Sequence, residues 1–222
     1  MGKRLVTVRG AGEASLAPDT IQINLTLEAR AEGYEEAIQL AATQLEELRV
    51  CLAKEGFTKS DLITTQFSVN TDYENVKNEA GEFIRVFKGY IVRNQLKLTF
   101  PINNERLGRV LRTLSQCESH PEFSIQYLLK DDQELQALVL KDAVNNAKQN
   151  AKTLARASGI TLGEIVSIQY DWSNIQFKNR EFLLTEAVNY SVAQIDLQPD
   201  NITASANVTI VWEIKQKEQE NE

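Results

Sequence analysis

Apolar and polar residues alternate in two runs near the start of the chain, one at 5–8 and one at 21–27. Alternation with a period of two places the apolar side chains on one face of an extended strand. Pro18 and Asp19, which lie between the runs, are typical of a turn. The pattern therefore predicts two β-strands within 5–31.

The apolar period changes to three or four residues over two longer stretches, 34–55 and 131–158. This is the period of an amphipathic helix with one buried face. Gly56 and Gly159 stand where a helix C-cap is expected. Small residues line one side of the second helix at Ala143, Ala147 and Ala151. They predict that this helix packs closely on a sheet.

Two long alternating runs, 62–73 and 83–100, flank a polar turn at 78–81. They predict a hairpin with a projecting tip. A short linking helix follows, capped by Asn103 or Asn104, because asparagine is a favoured N-cap residue. Alternation predicts three further strands at 123–129, 164–170 and 202–212.

Two parts of the sequence match each other without gaps, 56–67 and 159–170, and both follow a predicted helix. The matching order of elements predicts an α+β protein with two βαββ-like units at about 18–100 and 121–214. Each long helix covers an antiparallel sheet, and an extra N-terminal strand and the short linking helix complete the fold. The alternative is that any succession of helix, glycine and strand gives a similar pattern. The polar tail at 215–222 lies outside the domain.

The net charge and its distribution argue against two classes of binding partner. The formal net charge is −7, and Lys and Arg residues are scattered among acidic neighbours. Because nucleic acids and anionic membranes bind clustered cations, neither is expected as a partner. No apolar run approaches the roughly 20 residues that cross a bilayer. The start lacks the apolar segment of an export signal, which predicts a cytoplasmic protein, or a periplasmic or extracellular one if such a signal has been removed.

Gly10 and Gly12 superficially suggest a dinucleotide-binding loop. The third glycine position of that motif holds Ser15, and a strand pattern follows where the motif requires a helix. We therefore expect these glycines to form a bulge or a tight bend between strands.

His120 is the only histidine, and Pro121 follows it in a predicted loop, so no histidine-rich metal site is possible. Cys51 and Cys117 lie in apolar helical patterns and are expected to pack in the core, with a disulfide or a reactive thiol as the alternatives. The sequence predicts no catalytic residues, no cofactor and no metal.

Several blocks of the sequence resemble the SIMPL domain family, which includes bacterial periplasmic immunogenic proteins and a kinase-associated signalling adaptor. The blocks are VTVRGAGEA, DLITT, GYIVRN, AKTLA and QPDNI, at 6–14, 61–65, 89–94, 151–155 and 198–202. The resemblance covers essentially the whole chain and implies a single domain at 1–214. It also implies an α+β fold and homo-oligomer formation, but it brings no agreed activity or catalytic residues. The segment 171–199 departs from the family, because it is richer in aromatic and charged residues.

These observations favour a non-enzymatic binding or scaffold protein that forms a homo-oligomer through the hairpin tip and the segment 171–199. The expected contacts are apolar residues that interrupt the two repeats, namely Phe83, Val86, Phe87, Trp172, Ile175, Phe177, Phe182, Leu183 and Leu184. The alternative is that they cover their own sheets. A second hypothesis is an enzyme with a site between the two units. A stress-related or signalling role, with an unknown protein partner, rests on the family resemblance.

Overall fold

A computed structural model describes residues 4–77, 81–170, 176–178, 181–183 and 199–216. The helices in these ranges are α1 (Tyr34–Ala53), α2 (Asn104–Ser115) and α3 (Gln133–Ala157). The strands are β1 (Leu5–Leu16), β2 (Thr20–Ala31), β3 (Leu62–Lys77), β4 (Phe83–Pro101), β5 (Glu122–Leu128), β6 (Ile160–Tyr170), β7 (Gln176–Lys178), β8 (Glu181–Leu183) and β9 (Ile202–Gln216). The predicted α+β class, with antiparallel sheets covered by helices, is confirmed.

The chain forms two compact units, and neither is continuous in sequence. The first, here called the terminal unit, comprises the described parts of Met1–Pro18, Leu129–Asn179 and Pro199–Glu222. The second, here called the middle unit, comprises the described parts of Asp19–Leu128 and Arg180–Gln198.

The terminal unit is a sheet of order β1-β9-β6 with α3 on one face, and β7 also pairs with β9. Every second residue of β9 from Ile202 to Trp212 is buried, which places one face of this strand against the helix. The helix contributes mostly small side chains to this core. Its buried residues are Leu135, Val139, Ala143, Ala147, Ala151 and Ala155.

The prediction of a bulge or a tight bend at Gly10 and Gly12 is wrong. They form neither a bulge nor a bend, because β1 pairs with β9 from Leu5 to Leu16 in one unbroken register. Instead they let α3 approach the strand. A Cβ atom on Gly12 would lie 2.3 Å from the backbone nitrogen of Ala143, and one on Gly10 would lie 2.3 Å from the Ala143 carbonyl oxygen. Glycine is required here for close packing of strand and helix.

The middle unit is a sheet of order β3-β4-β2-β5-β8. Its core is formed by the alternate apolar residues of β2 and β4 together with α1 and α2. Residues of this core with almost no exposed surface include Ile21, Ile23, Leu25, Leu48, Leu96, Leu98, Leu114 and Ile125. The side chain of Asn103 accepts a hydrogen bond from the Arg106 N–H at 2.8 Å, which confirms one of the two predicted caps of the linking helix.

The position of β5 was not anticipated by the sequence pattern. It is the first strand of the second predicted repeat, yet it pairs with β2 in the middle unit. In the terminal unit, the place beside β9 is taken by β1. The repeat boundaries at 18–100 and 121–214 stay a prediction.

Glu28 on β2 gives a prediction of pH dependence. Its carboxylate lies 2.7 Å from Arg93 and 2.6 Å from Arg30, and its side chain is 30% exposed. The hydrogen bond from Arg93 is the main reason that the pKa of Glu28 lies below its ordinary value of 4.5. The stabilisation is therefore present above the unfolded-state pKa and is lost as the pH falls through the lowered pKa.

We expect Glu28→Gln to lower the free energy of unfolding by about 0.5–1 kcal/mol at pH 7, a small effect because solvent screens the pair. The difference from the wild-type protein should shrink at acidic pH, as the pH falls through the lowered pKa of Glu28. Urea unfolding at pH 7 and at acidic pH measures this difference in the free energy of unfolding. Arg93→Gln should show the same dependence on pH, because it removes the partner of the same carboxylate. Equal destabilisation at both pH values would contradict the assignment.

Candidate functional site

The hairpin of β3 and β4 is longer than the sheet that carries it. The two strands pair from Leu62 to Lys77, whereas β2 pairs with β4 only from Tyr90 to Pro101. The outer parts of the hairpin, 73–77 and 83–89, have no third strand beside them in the described part of the chain. We call these residues the hairpin extension.

Gly89 lies where the extension leaves the sheet. Its φ angle is +133°, and a Cβ atom there would lie 2.1 Å from the carbonyl oxygen of Ala31. Only glycine combines this backbone conformation with so close an approach. The last residues of β2 and the base of the extension are thereby packed directly on each other.

A row of edge-on aromatic contacts runs from α1 into the extension. The ring centroids of Tyr34 and Tyr90 lie 5.5 Å apart, those of Tyr90 and Phe87 5.4 Å, and those of Phe87 and Tyr73 5.5 Å. Such edge-to-face pairs contribute about 0.5–1.5 kcal/mol each beyond the burial of their area. The row connects the first residue of the helix to the base of the hairpin extension.

Cations lie over two rings of the same face. The Arg85 guanidinium carbon is 4.2 Å from the centroid of Tyr73, and Lys77 Nζ is 5.2 Å from that of Phe83. The aromatic rings are nevertheless exposed to solvent, with Phe83 71% exposed and Phe87 45% exposed. This face therefore presents aromatic surface and positive charge together.

The opposite face of the extension is also apolar. Val76 and Ile84 are register partners and are 38% and 46% exposed. Val86 lies beside them, and Glu74 pairs with Lys88 at 2.9 Å. Exposed apolar side chains on both faces distinguish the extension from an ordinary surface strand, which carries them on its buried face only.

Comparison with known proteins shows which family the chain belongs to. The model of the SIMPL family, described as a protein of unknown function (DUF541), matches residues 6–212. The chain belongs to the SIMPL family. A search of curated proteins returns no match. The match includes the whole hairpin extension, and the family description assigns no activity to it.

The predicted contact residues of this SIMPL chain divide into three groups. Phe83 and Phe87 share one face of the extension, and Val86 lies on the other. The backbone of Phe177 lies in β7, in the terminal unit, and that of Phe182 and Leu183 in β8, in the middle unit, while their side chains lie outside the described set. Trp172, Ile175 and Leu184 lie outside the described residues.

Sequence reasoning missed the aromatic row of the SIMPL chain. Tyr73 belongs to the predicted strand 62–73 but was not singled out, and Tyr34 and Tyr90 were seen only as element boundaries or family residues. A signal was present, because Tyr73 and Phe87 lie at similar distances from the polar turn. Register partners of a hairpin share a face, so this symmetry could have paired them.

Potential metal ligands form no comparable cluster in the described part of the SIMPL chain. Across the described ranges, no group of three or more His, Cys, Asp or Glu side chains is placed to hold a metal ion. His120 is exposed in the loop between α2 and β5, with a φ of +41°. None of the helices in the described ranges is both long and apolar enough to span a membrane.

Proposed function

We propose that this SIMPL protein is a non-enzymatic binding protein that assembles with further copies of itself through the hairpin extension. The observation that carries the proposal is the exposure of apolar side chains on both faces of a strand pair that no other described strand covers. Isolated two-stranded hairpins are marginally stable in water, so a partner that buries these faces stabilises the extension.

The composition of the surface supports a protein partner. Aromatic residues and arginine are enriched at protein interfaces. The extension offers Tyr73, Phe83, Phe87 and Arg85 on one face. Burying each phenylalanine contributes roughly 1.5–3 kcal/mol, so these two residues are the expected hot spots of the contact.

The edge position of β3 supports a second copy as that partner. β3 is outermost among the described strands of the middle unit's sheet, and an edge strand offers its outer backbone groups to another strand. Addition of a strand to such an edge is a common mode of protein recognition. A second copy supplies both an identical edge and an identical apolar hairpin, as a two-fold symmetric interface requires.

The test is the molar mass of the protein in solution, measured by light scattering over a range of concentrations. We expect the wild-type protein to form an oligomer and Phe83→Ser/Phe87→Ser to dissociate, with a dissociation constant raised by roughly 100-fold or more. Val50→Ser is the matched control, because Val50 is 62% exposed on α1, away from the extension.

Circular dichroism shows whether the double variant remains folded, and Phe83→Ser alone preserves the aromatic row if it does not. A wild-type protein that is monomeric at every concentration overturns the proposal. Equal masses for the wild-type protein and a folded double variant also overturn it.

A further inference from the structure

The two cysteines of the chain come from different elements and meet in the middle unit. Cys51 lies in the last turn of α1, and Cys117 follows α2 directly. Cys117 is 0% exposed and belongs to the hydrophobic core of the unit, and Cys51 is half-buried and packs against that core. Both are free thiols.

Two contacts fix the position of the buried thiol. The Sγ atom of Cys117 lies 3.8 Å from the carbonyl oxygen of Glu47 and 3.1 Å from the Oγ atom of Ser119. Glu47 precedes Cys51 by one helical turn, and helical side chains point toward the preceding turn. The side chain of Cys51 is therefore directed toward Cys117, and it packs against the core cluster to which Cys117 belongs.

The two thiols differ in access. An open groove of about 670 Å³ lies over α1, with Cys51, Lys54, Gln116 and Glu118 among its lining residues. Cys117 is not part of this lining. One thiol thus faces the groove, and its partner is shielded behind it, as thiol–disulfide exchange through a mixed disulfide requires.

We propose that Cys51 and Cys117 form a thiol–disulfide exchange site that takes a small-molecule disulfide from this groove. The Cys51 thiolate attacks one sulfur of the disulfide, whose S–S bond breaks, and one small thiol leaves with the proton of Cys51. A mixed disulfide joins the second half of the molecule to Cys51. The Cys117 thiolate then attacks Cys51 Sγ, and the bond from Cys51 to the small molecule breaks. The second small thiol leaves with the proton that Cys117 has given up.

The exchange is balanced. The two cysteines lose two electrons and two protons and become a Cys51–Cys117 disulfide, while the small disulfide gains both and becomes two thiols. Burial, followed by the nearby Cys117 thiol, raises the pKa of Cys51 to about 11. Since the thiolate is the attacking species, the exchange is slow at neutral pH. The product links α1 to the loop after α2, which raises Tm by about 5–10 °C.

The experiment uses the full chain, reduced, freed of reductant and incubated with oxidised glutathione. Intact mass and peptide mapping should show a loss of two hydrogens and a peptide joining residues 51 and 117. Cys117→Ser should retain one glutathione moiety on Cys51, because the second thiol is missing. Cys51→Ser should react at least about tenfold more slowly, because the remaining thiol is buried.

The same measurements can overturn the proposal. A wild-type protein that keeps the glutathione adduct, forms only intermolecular disulfides or does not react at all contradicts it. So does a Cys51→Ser variant that reacts as fast as Cys117→Ser. If either serine variant fails to fold, the wild-type peptide map decides alone. None of these readouts depends on the oligomeric state, so this proposal and the proposed self-association fail separately.

Discussion

Gly12→Ala is expected to lower the free energy of unfolding by about 3 kcal/mol or more, a large share of the stability of a typical domain. The added methyl group would lie 2.3 Å from both the Ala143 nitrogen and the Val139 carbonyl oxygen. Both are backbone atoms of α3, so no side-chain rotation relieves the contact. Either the helix moves away from β1 or the strand loses its register with β9. Urea unfolding followed by circular dichroism measures the change.

Ala11 supplies the control within the same strand. Its side chain is exposed, and it lies between the two glycines on the face away from α3. Ala11→Val should change the free energy of unfolding by no more than about 0.5 kcal/mol. Gly10→Ala should resemble Gly12→Ala, because its methyl group meets the same helix. If Gly12→Ala is no more destabilising than Ala11→Val, close packing is not the role of this glycine.

Gly89→Ala is expected to have a comparable effect, about 3 kcal/mol or more, for two physical reasons. The φ angle of +133° is one that L-residues rarely adopt, and the methyl group would lie 2.1 Å from the carbonyl oxygen of Ala31. Because β4 leaves β2 at this residue, the damage should concentrate at the base of the hairpin extension. Amide hydrogen exchange should become faster along 83–92 than in the rest of β4.

Gly56→Ala separates the two costs of the Gly89 substitution. Gly56 has a φ of +79°, but nothing lies within 4 Å of the position its Cβ atom would take. The Gly56→Ala variant should lose only the free energy that alanine costs at a positive φ angle, about 1–2 kcal/mol. Equal losses at Gly56 and Gly89 would show that the contact with Ala31 contributes nothing.

Helices were the part of this fold most accessible from sequence. The period of three to four residues located α1 and α3 because each helix buries one continuous face. Alternation located β5 equally well, but it gave no indication of which strand lies beside it. A strand pattern records which side chains are buried, whereas the backbone pairs through groups that every residue shares. The pairing of β5 with β2 therefore depends on tertiary structure.

The same distinction applies to the candidate sites. Phe83 and Phe87 were predicted as contact residues because they are apolar and interrupt a predicted repeat, and the structure leaves both exposed. The contact of Tyr34 with Tyr90 was not, since it joins a helix to a strand far along the chain. Likewise, Cys51 and Cys117 were each interpreted as core residues, and only the packing of α1 beside the loop after α2 brings the thiols together.

The pairing of β1 with β9 determines the order in which the chain can fold during synthesis. β1 leaves the ribosome before the other described strands, and β9, which pairs with it, leaves after them. The middle unit has its strands β2 to β5 available much earlier. Because long-range pairing is slow and exposes unpaired edges, β1 of the nascent chain lacks its partner strand until β9 has been synthesised. Loss of the final strand would remove the neighbour of β1 and β6 alike.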